Sequence, residues 1–244
     1  MSTGEALVDV RDLGKSYGKR RAVEGVNLTL QVGQMVGLVG ANGGGKTTTL
    51  RMLAGVLKPD VGSGAVLGCD ISRSDPHRRK GIGYMTQRPA LYGELSVLEN
   101  LAFHAAVIAP ALSRSAIEVA IERHGLSPVL DQRFGALSGG WARRVQFVAT
   151  VLHRPRLLLL DEPTAGLDVI TRRLIWQWLA DFAETGCGII ISTHDLDDAA
   201  KCDLILPYHQ GLAHSAITPA AFVRDAGGGD LKEAMVRFAS ESVG

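Results

Sequence analysis

A run of eight residues, 40–47, combines four glycines with a lysine and a threonine in the order G-x-x-x-x-G-K-T. Glycines let the backbone curl so that successive N–H groups point inward, and a following helix N-terminus adds partial positive charge. Such a loop binds phosphate oxygens, with Lys46 as a cation for the outer phosphates and Thr47 as a hydroxyl ligand for Mg²⁺. We expect this phosphate loop to hold a ligand through Gly40, Ala41, Asn42, Gly43, Gly44, Gly45, Lys46, Thr47 and Thr48.

Two carboxylates follow a wholly apolar run, residues 157–160, which is typical of a strand buried on both faces. The carboxyl end of such a strand is where open α/β sheets bind ligands. Asp161 is placed to hold Mg²⁺ through water, and Glu162 is placed to polarise a water that attacks a γ-phosphate. The alternative is a solvated strand end, but a phosphate loop needs a metal-binding acid at this point.

Three further polar segments follow predicted strands or begin a predicted helix. Gln87 can accept from a metal-bound water and donate to a phosphate, although a surface glutamine is the simpler interpretation. Ser138, Gly139 and Gly140 begin a helix and would form a second anion site, unless Ser138 is an ordinary helix cap. His194 can reach a γ-phosphate from the end of a neighbouring strand, or it can bond to loop carbonyls instead.

Composition narrows the class of protein. The 244 residues are 46% hydrophobic and 21% charged with net charge +1, which is typical of a soluble globular protein and does not favour nucleic acid as a partner. Basic clusters such as Arg143-Arg144 and Arg172-Arg173 are expected to be solvated, or else to contact phosphate or a partner. The three cysteines have no C-x-x-C spacing, which fits a reducing cytosol and argues against a structural metal site. No apolar run reaches the roughly 18 residues of a membrane span, and the first residues do not form a signal peptide.

The order of elements predicts an α/β protein with a helical insertion. We expect a single domain over residues 5–240, with a core of residues 5–90 and 154–224, a helical subdomain of residues 91–153 and a tail of residues 225–244. Ser96 and Glu99 predict a capping box at the start of the first inserted helix. Residues 59–64 are predicted to form a loop, and Pro207 is predicted to interrupt strand pairing.

In this order and spacing, the segments resemble the nucleotide-binding subunit of ATP-binding cassette (ABC) transporters over nearly the whole chain. Residues 137–140 resemble the signature motif of that family. Gln87 resembles its Q-loop, Asp161-Glu162 its Walker B motif and His194 its switch histidine. Residues 165–168 are similar to its D-loop. Tyr17 stands where the family stacks an aromatic ring on adenine.

The resemblance implies a P-loop NTPase core with an N-terminal antiparallel β subdomain and an inserted α-helical subdomain. It implies an ATPase using Mg²⁺, with Glu162, His194 and Gln87 catalytic, and Thr47, Gln87 and Asp161 at the metal. Two copies, or two different subunits, would form a head-to-tail dimer with ATP between the phosphate loop and the facing signature motif. A separate multispanning permease would hold the dimer at the cytoplasmic face of the membrane.

The segments around residues 91–97, 137–141 and 172–176 look similar to those of ABC-2 type exporters, although Trp141 stands where many members have glutamine. Leu91 and Tyr92 are candidates for the permease contact, or else they are buried within the insertion. The alternatives are an importer ATPase, a soluble ABC ATPase acting on ribosomes or DNA, and a binding module without turnover. A binding module without turnover would require that some of the catalytic residues be absent.

Overall fold

The computed structural model describes residues 6–241, and these form one ten-stranded sheet with nine α-helices around it. The ends of the predicted domain, residue 5 and residues 242–244, lie outside the described residues, and the predicted subdivision stays a prediction. The strands are β1 (Ala6–Tyr17), β2 (Arg20–Gln31), β3 (Met35–Val39), β4 (Val61–Val66), β5 (Cys69–Asp70), β6 (Ile82–Met85), β7 (Leu157–Asp161), β8 (Gly188–Thr193), β9 (Leu204–His209) and β10 (Leu212–Ala213). The helices are α1 (Lys46–Leu53), α2 (Pro76–Lys80), α3 (Val97–Ile108), α4 (Arg114–Arg123), α5 (Gly139–Val151), α6 (Val169–Glu184), α7 (Leu196–Ala199), α8 (Pro219–Asp225) and α9 (Leu231–Glu241).

The sheet has two parts that differ in strand direction. Its order is β5-β4-β1-β2-β10-β9-β3-β8-β7-β6. The five strands from β9 to β6 run parallel, while β1, β2, β4 and β5 pair antiparallel. The α/β fold predicted from the sequence is therefore confirmed, with the antiparallel strands near the N-terminus as expected.

Burial explains why the parallel strands are so apolar. All five residues of β7 and all six of β8 are buried, because the sheet is covered on both faces. One face packs against α1 and the antiparallel strands through residues such as Leu50 and Leu30. The other packs against α5 and α6 through Phe147, Ile175 and Leu179. The sheet is thus a rigid frame whose strand ends can hold polar groups.

The inserted helices have a core of their own, and local capping sets where they begin. Ser96 Oγ accepts from the Glu99 N–H at 3.1 Å, and the Glu99 carboxylate accepts from the Ser96 N–H at 2.7 Å. This is the predicted capping box. Leu101, Ile121 and Val145, from α3, α4 and α5, then pack together in one cluster.

The prediction of a loop over residues 59–64 is wrong for its last four residues, because β4 begins at Val61. Gly62 and Gly64 have φ of +92° and +135°, where side chains are rarely tolerated. A Cβ on Gly64 would lie 2.2 Å from the Asp9 carbonyl oxygen, and one on Gly62 would lie 2.5 Å from that of Asp12. The glycines that indicated a loop instead allow β4 to pair closely with β1.

The prediction that Pro207 breaks the pairing is also wrong. β9 continues through Pro207 to His209, and Pro207 lies opposite Val39 in the parallel pair with β3. The Pro207 carbonyl accepts from the His214 N–H at 2.9 Å on the other side. The strand therefore tolerates the missing N–H of proline, and it lies inside the sheet rather than at its edge.

A buried histidine in the helical segment gives a pH-dependent prediction. Burial is the main cause that lowers the pKa of His124 to about 4, with Arg123 acting in the same direction and Asp181 opposing them. The unfolded chain takes up this proton near the ordinary histidine pKa of 6.5, so stability is lost as the pH falls from there towards 4. We expect His124→Phe, beside Phe147 and Trp178, to reduce this loss.

The measurement is the melting temperature of wild type and variant between about pH 7.5 and pH 4.5. The exposed His77, changed to Phe, is the control. An unchanged pH slope in His124→Phe would contradict the assignment.

Candidate nucleotide site

The phosphate loop connects the end of β3 to the start of α1. Gly45 precedes the helix with φ of +103°, and Gly40 has φ of +152°. A Cβ on Gly40 would lie 2.4 Å from the Tyr208 carbonyl oxygen, so β9 forces glycine at this position. Within the described chain, the N–H groups of Asn42, Gly43 and Gly45 donate to no backbone acceptor. The loop therefore offers amides to an anion, as predicted.

Lys46 lies within this loop with only 5% of its surface exposed. Its ammonium group donates to the carbonyl oxygens of Gly40 at 2.6 Å and Ala41 at 3.0 Å. Burial lowers the pKa of Lys46, while the nearby charges of Glu162 and Asp161 raise it. A buried cation held by neutral carbonyls is well placed to exchange them for phosphate oxygens.

Asp161 and Thr47, two of the three predicted metal ligands, are in direct contact although they lie on separate elements. Thr47 Oγ1 donates to Asp161 Oδ1 at 3.1 Å, and Ser192 Oγ donates to the same oxygen at 2.5 Å. The contact arises because β8 lies between β3 and β7, with Ser192 opposite both Leu38 and Asp161. No sequence motif indicated Ser192 as a site residue, although its position at the end of an apolar strand is a usable signal.

Glu162 and His194 form a second polar pair beside the first. His194 Nδ1 lies 3.0 Å from Glu162 Oε1 and 2.9 Å from Oε2, so the predicted alternative of bonds to loop carbonyls does not apply. Glu162 is 6% exposed, and its backbone has φ of +52°, which is uncommon for a residue other than glycine. Its N–H donates to Ser192 Oγ at 3.0 Å. Glu162 is thus held at two points: His194 contacts its carboxylate, and Ser192 accepts from its N–H.

Gln87 follows β6, and its side chain faces solvent. In the part of the chain that is described, its amide group makes no hydrogen bond, while its backbone carbonyl accepts from Arg143 at 2.9 Å. The structure does not bring the Gln87 side chain into contact with Thr47 or Asp161. The backbone of Gln87 is therefore fixed, whereas its side-chain amide is not.

Ser138, Gly139 and Gly140 lie at the start of α5, and the first two are exposed. Ser138 has the backbone of a capping residue, but its hydroxyl makes no capping hydrogen bond. The predicted alternative of a helix cap therefore holds for its backbone position, whereas its hydroxyl does not cap the helix. Gly139 has open space around it, since a Cβ there would meet nothing within 4 Å. The Ser138 hydroxyl and the backbone N–H groups at the start of α5 are therefore available to a ligand.

Tyr17 ends β1 and is half exposed. It lies opposite Arg20 across the turn to β2. The Arg20 guanidinium is 4.0 Å from the position that a Cβ on Gly43 would occupy, so this turn lies next to the phosphate loop. The position is suitable for an aromatic contact to a base.

A cavity of about 450 Å³ adjoins the phosphate loop. Residues 40–44 and His194 line one side, and Met235 and Phe238 of α9 line another. None of the signature residues 138–140 lines it. The last helix, which the sequence analysis treated as a tail, therefore forms a wall next to the site.

Two residues of the predicted basic clusters are not solvated as expected. Arg143 is 7% exposed and contacts the backbone around Gln87 and Glu162, as described below. Arg172 Nε donates to the buried Asp198 at 3.0 Å, and its Nη2 forms ion pairs with Asp195 at 2.7 Å and Asp198 at 2.8 Å. These acids raise the pKa of Arg172. Adjacent arginines gave no sequence signal that distinguished a buried guanidinium from a solvated one.

Two features are absent from residues 6–241. No helix there is long and apolar enough to cross a membrane. No group of three or more His, Cys, Asp or Glu side chains there is arranged to hold a metal ion. Asp161 and Thr47 nevertheless offer a metal one carboxylate and one hydroxyl group.

Comparison with known proteins agrees with this geometry. A sequence model described as ABC transporter matches residues 23–165, and a model of an AAA domain matches residues 137–197. The chain is 34% identical over 218 residues to Probable multidrug ABC transporter ATP-binding protein YbhF of Escherichia coli (strain K12), covering 88% of this chain and 38% of that protein. It therefore spans about two fifths of that relative. It is 33% identical over 231 residues to Nod factor export ATP-binding protein I of Burkholderia orbicola (strain AU 1054), covering 93% of this chain and 76% of that protein.

Solved structures give the same result. An ATP-binding subunit of an ABC transporter superposes with a TM-score of 0.85 at 29% identity, over 94% of this chain and 98% of that chain. The dimeric bacterial ABC transporter cassette MJ0796 superposes with a TM-score of 0.79 at 25% identity, over 86% and 98% of the two chains. Since the family model also matches more than half of the residues, the chain belongs to the ABC transporter family.

Proposed function

We propose that this chain binds Mg²⁺ and ATP at the phosphate loop, hydrolyses ATP within a head-to-tail dimer, and drives a separate multispanning permease of the ABC-2 exporter type. The observation that carries the proposal is the contact network at the ends of β3, β7 and β8. Lys46, Thr47, Asp161, Glu162 and His194 come from distant parts of the sequence and meet there.

The loop and Lys46 would bind the β- and γ-phosphates. Free amides at Asn42, Gly43 and Gly45 point to this role, and the ammonium group of Lys46 would transfer from the carbonyls of Gly40 and Ala41 to phosphate oxygens. Tyr17 would stack on the base from the neighbouring turn. These interactions mainly set the affinity for ATP.

The residues present fit Mg²⁺. The ion prefers oxygen ligands and usually keeps several waters, so the Thr47 hydroxyl and the Asp161 carboxylate suffice when phosphate oxygens complete the set. When bound, Mg²⁺ neutralises charge that develops on the phosphates. Ser192 fixes the Asp161 carboxylate through its 2.5 Å hydrogen bond, and Gln87 would join through water after its exposed side chain turns inward.

Glu162 would act as the general base. Its buried carboxylate lies next to Asp161 and can accept the proton of a water that attacks the γ-phosphate. His194, bonded to both carboxylate oxygens, keeps that group oriented and is itself more than half exposed towards the side from which phosphate would approach. Orientation of this kind is the main contribution that the protein makes to such a reaction.

Exposed polar groups at the start of α5 support the dimer. The Ser138 hydroxyl and the Gly139 amide lie exposed at a helix N-terminus, apart from the cavity at the phosphate loop. In a head-to-tail pair, they would bind the γ-phosphate held by the other subunit. The dimeric cassette MJ0796 has the same fold and a related sequence.

The exporter role is supported by the relatives and by an exposed aromatic pair. One relative carries a multidrug transporter name and the other an export name. Tyr92 is 55% exposed and packs edge-on against Phe103, which is 48% exposed, with 5.2 Å between ring centroids. We infer that this pair contacts the permease, while Leu91 packs partly inside the helical core. The chain would then be peripheral at the cytoplasmic face of the membrane.

Glu162→Gln tests the catalytic assignment. We expect ATP to bind with unchanged affinity, because the amide keeps the shape of the side chain, and turnover to fall by about 10²-fold or more, because the base is lost. Binding is measured by calorimetry and turnover by phosphate release. Glu184→Gln, an exposed change in α6, is the control. Normal hydrolysis in Glu162→Gln would remove Glu162 from the role.

Ser138→Arg in the Glu162→Gln background tests the dimer. We expect the parent to double in mass with Mg-ATP in light scattering, whereas the arginine at the exposed helix start prevents this by steric and charge conflict. ATP binding to the monomer should persist. Ser63→Arg, on the exposed face of β4, is the control. A stable ATP-dependent dimer of the Ser138 variant would locate the second phosphate site elsewhere.

Capture from native membranes tests the exporter role. Tagged Glu162→Gln protein with Mg-ATP should retain a multispanning ABC-2 permease from detergent extracts. The added change Tyr92→Glu should abolish retention, since it places a charge in the exposed aromatic pair. Retention of ribosomes or nucleic acid instead, or of an importer permease, would contradict the exporter role and leave the ATPase assignment intact.

A further inference from the structure

Arg143 lies on α5 shortly after the signature residues, and its guanidinium is inside the protein. Its exposed fraction is 7%, although the sequence places it in a basic pair. The neighbouring Arg144 behaves differently: its guanidinium stacks over Trp141, with 4.0 Å to the ring centroid, and donates to the His124 carbonyl at 3.0 Å. Of the two adjacent arginines, it is Arg143 that reaches the segments that follow β6 and β7.

All acceptors of the Arg143 guanidinium are neutral oxygens, and most belong to two catalytic segments. It donates to the carbonyl oxygens of Gln87 at 2.9 Å, Thr86 at 3.4 Å, Pro163 at 2.9 Å and Asp161 at 3.1 Å, to that of Glu162, and to Gln146 Oε1 at 3.0 Å. One side chain thus bridges the segment after β6, the segment after β7 and the helix that begins at the signature.

Gln146 fixes the bridge from the next turn of α5. It is 4% exposed, accepts from Arg143 through Oε1, and donates through Nε2 to the Thr86 carbonyl at 2.8 Å. The arginine is therefore locked at both ends. A planar guanidinium can serve carbonyls on two sides at once, whereas a lysine ammonium cannot hold the same fork.

Burial makes this arrangement costly. Desolvation lowers the pKa of Arg143, and the charges of Asp161 and Glu162 raise it in compensation. No side-chain carboxylate in the described chain bonds to Arg143. A buried cation whose hydrogen bonds go to the backbone of the active segments fixes positions rather than neutralising a partner.

We propose that Arg143 is a positioning residue that holds the backbone of Gln87 and Glu162 in register with the signature helix. Glu162 has an uncommon backbone conformation, with Ser192 bonded to its N–H and Arg143 to its carbonyl. A shift of α5, such as one that follows engagement of Ser138, would then move both catalytic segments together. The inference rests on the proposed function for its effect on turnover.

Arg143→Lys and Arg143→Met test the proposal, with Arg144→Lys as the matched control. We expect kcat for ATP hydrolysis to fall by about tenfold or more in both Arg143 variants while KM changes by less than about twofold, because binding does not use the clamp. Arg144→Lys should stay within about twofold of wild type in both constants. A parallel fall in kcat, ATP affinity and melting temperature would reduce Arg143 to a structural residue and overturn the proposal.

Hydrogen exchange of the nucleotide-free proteins tests the clamp without hydrolysis. Peptides covering residues 82–92 and 157–165 should exchange their amide hydrogens about tenfold faster in Arg143→Lys than in wild type, because local opening sets these rates. In Arg144→Lys the exchange rates should equal those of wild type. If wild type hydrolyses ATP and Arg143→Lys matches it, the positioning role fails. If wild type does not hydrolyse ATP, the proposed function fails, and exchange alone decides: unchanged protection overturns the clamp, and faster exchange supports it.

Discussion

The Asp161 carboxylate joins three segments of the chain at one oxygen atom. Asp161 Oδ1 accepts from Thr47 at the start of α1 and from Ser192 at the end of β8. Ser192 in turn bonds to the N–H of Glu162. The phosphate loop, the paired carboxylates and the strand that leads to His194 therefore have fixed positions relative to one another. The strand order makes this possible, because β8 lies between β3 and β7.

Charges of both signs are buried around this point. Lys46 and Arg143 are nearly inaccessible, as are Asp161 and Glu162. The two carboxylates raise the pKa values of both cations against the effect of desolvation. In such an environment each group depends on the others, because a buried charge without compensation costs several kcal/mol. The phosphates of a nucleotide would enter a site whose cations are already arranged and largely free of water. The low dielectric constant there strengthens the attraction between phosphate and cation.

Local sequence predicted the features that depend on local rules. The phosphate loop, the apolar strands and the capping box at Ser96 follow from periodicity, glycine spacing and helix-end chemistry, and the fold agreed with them. The errors came from tertiary contacts. Gly62 and Gly64 belong to a strand because another strand approaches them closely, and Arg143 is buried because two loops offer it carbonyls. Ser192 and α9 entered the site through strand order and packing, which single-chain patterns do not contain.

The position of β3 within the sheet has a consequence for biosynthesis. Its neighbours β8 and β9 come from residues 188–193 and 204–209, far along the chain, and the Tyr208 carbonyl lies against Gly40. On a ribosome, the loop emerges long before the strands that shape it. Pairings with so large a sequence separation form slowly, since the chain must first lose the entropy of closing a long loop. The nascent chain must therefore keep its apolar β3 from aggregating until the last parallel strand arrives.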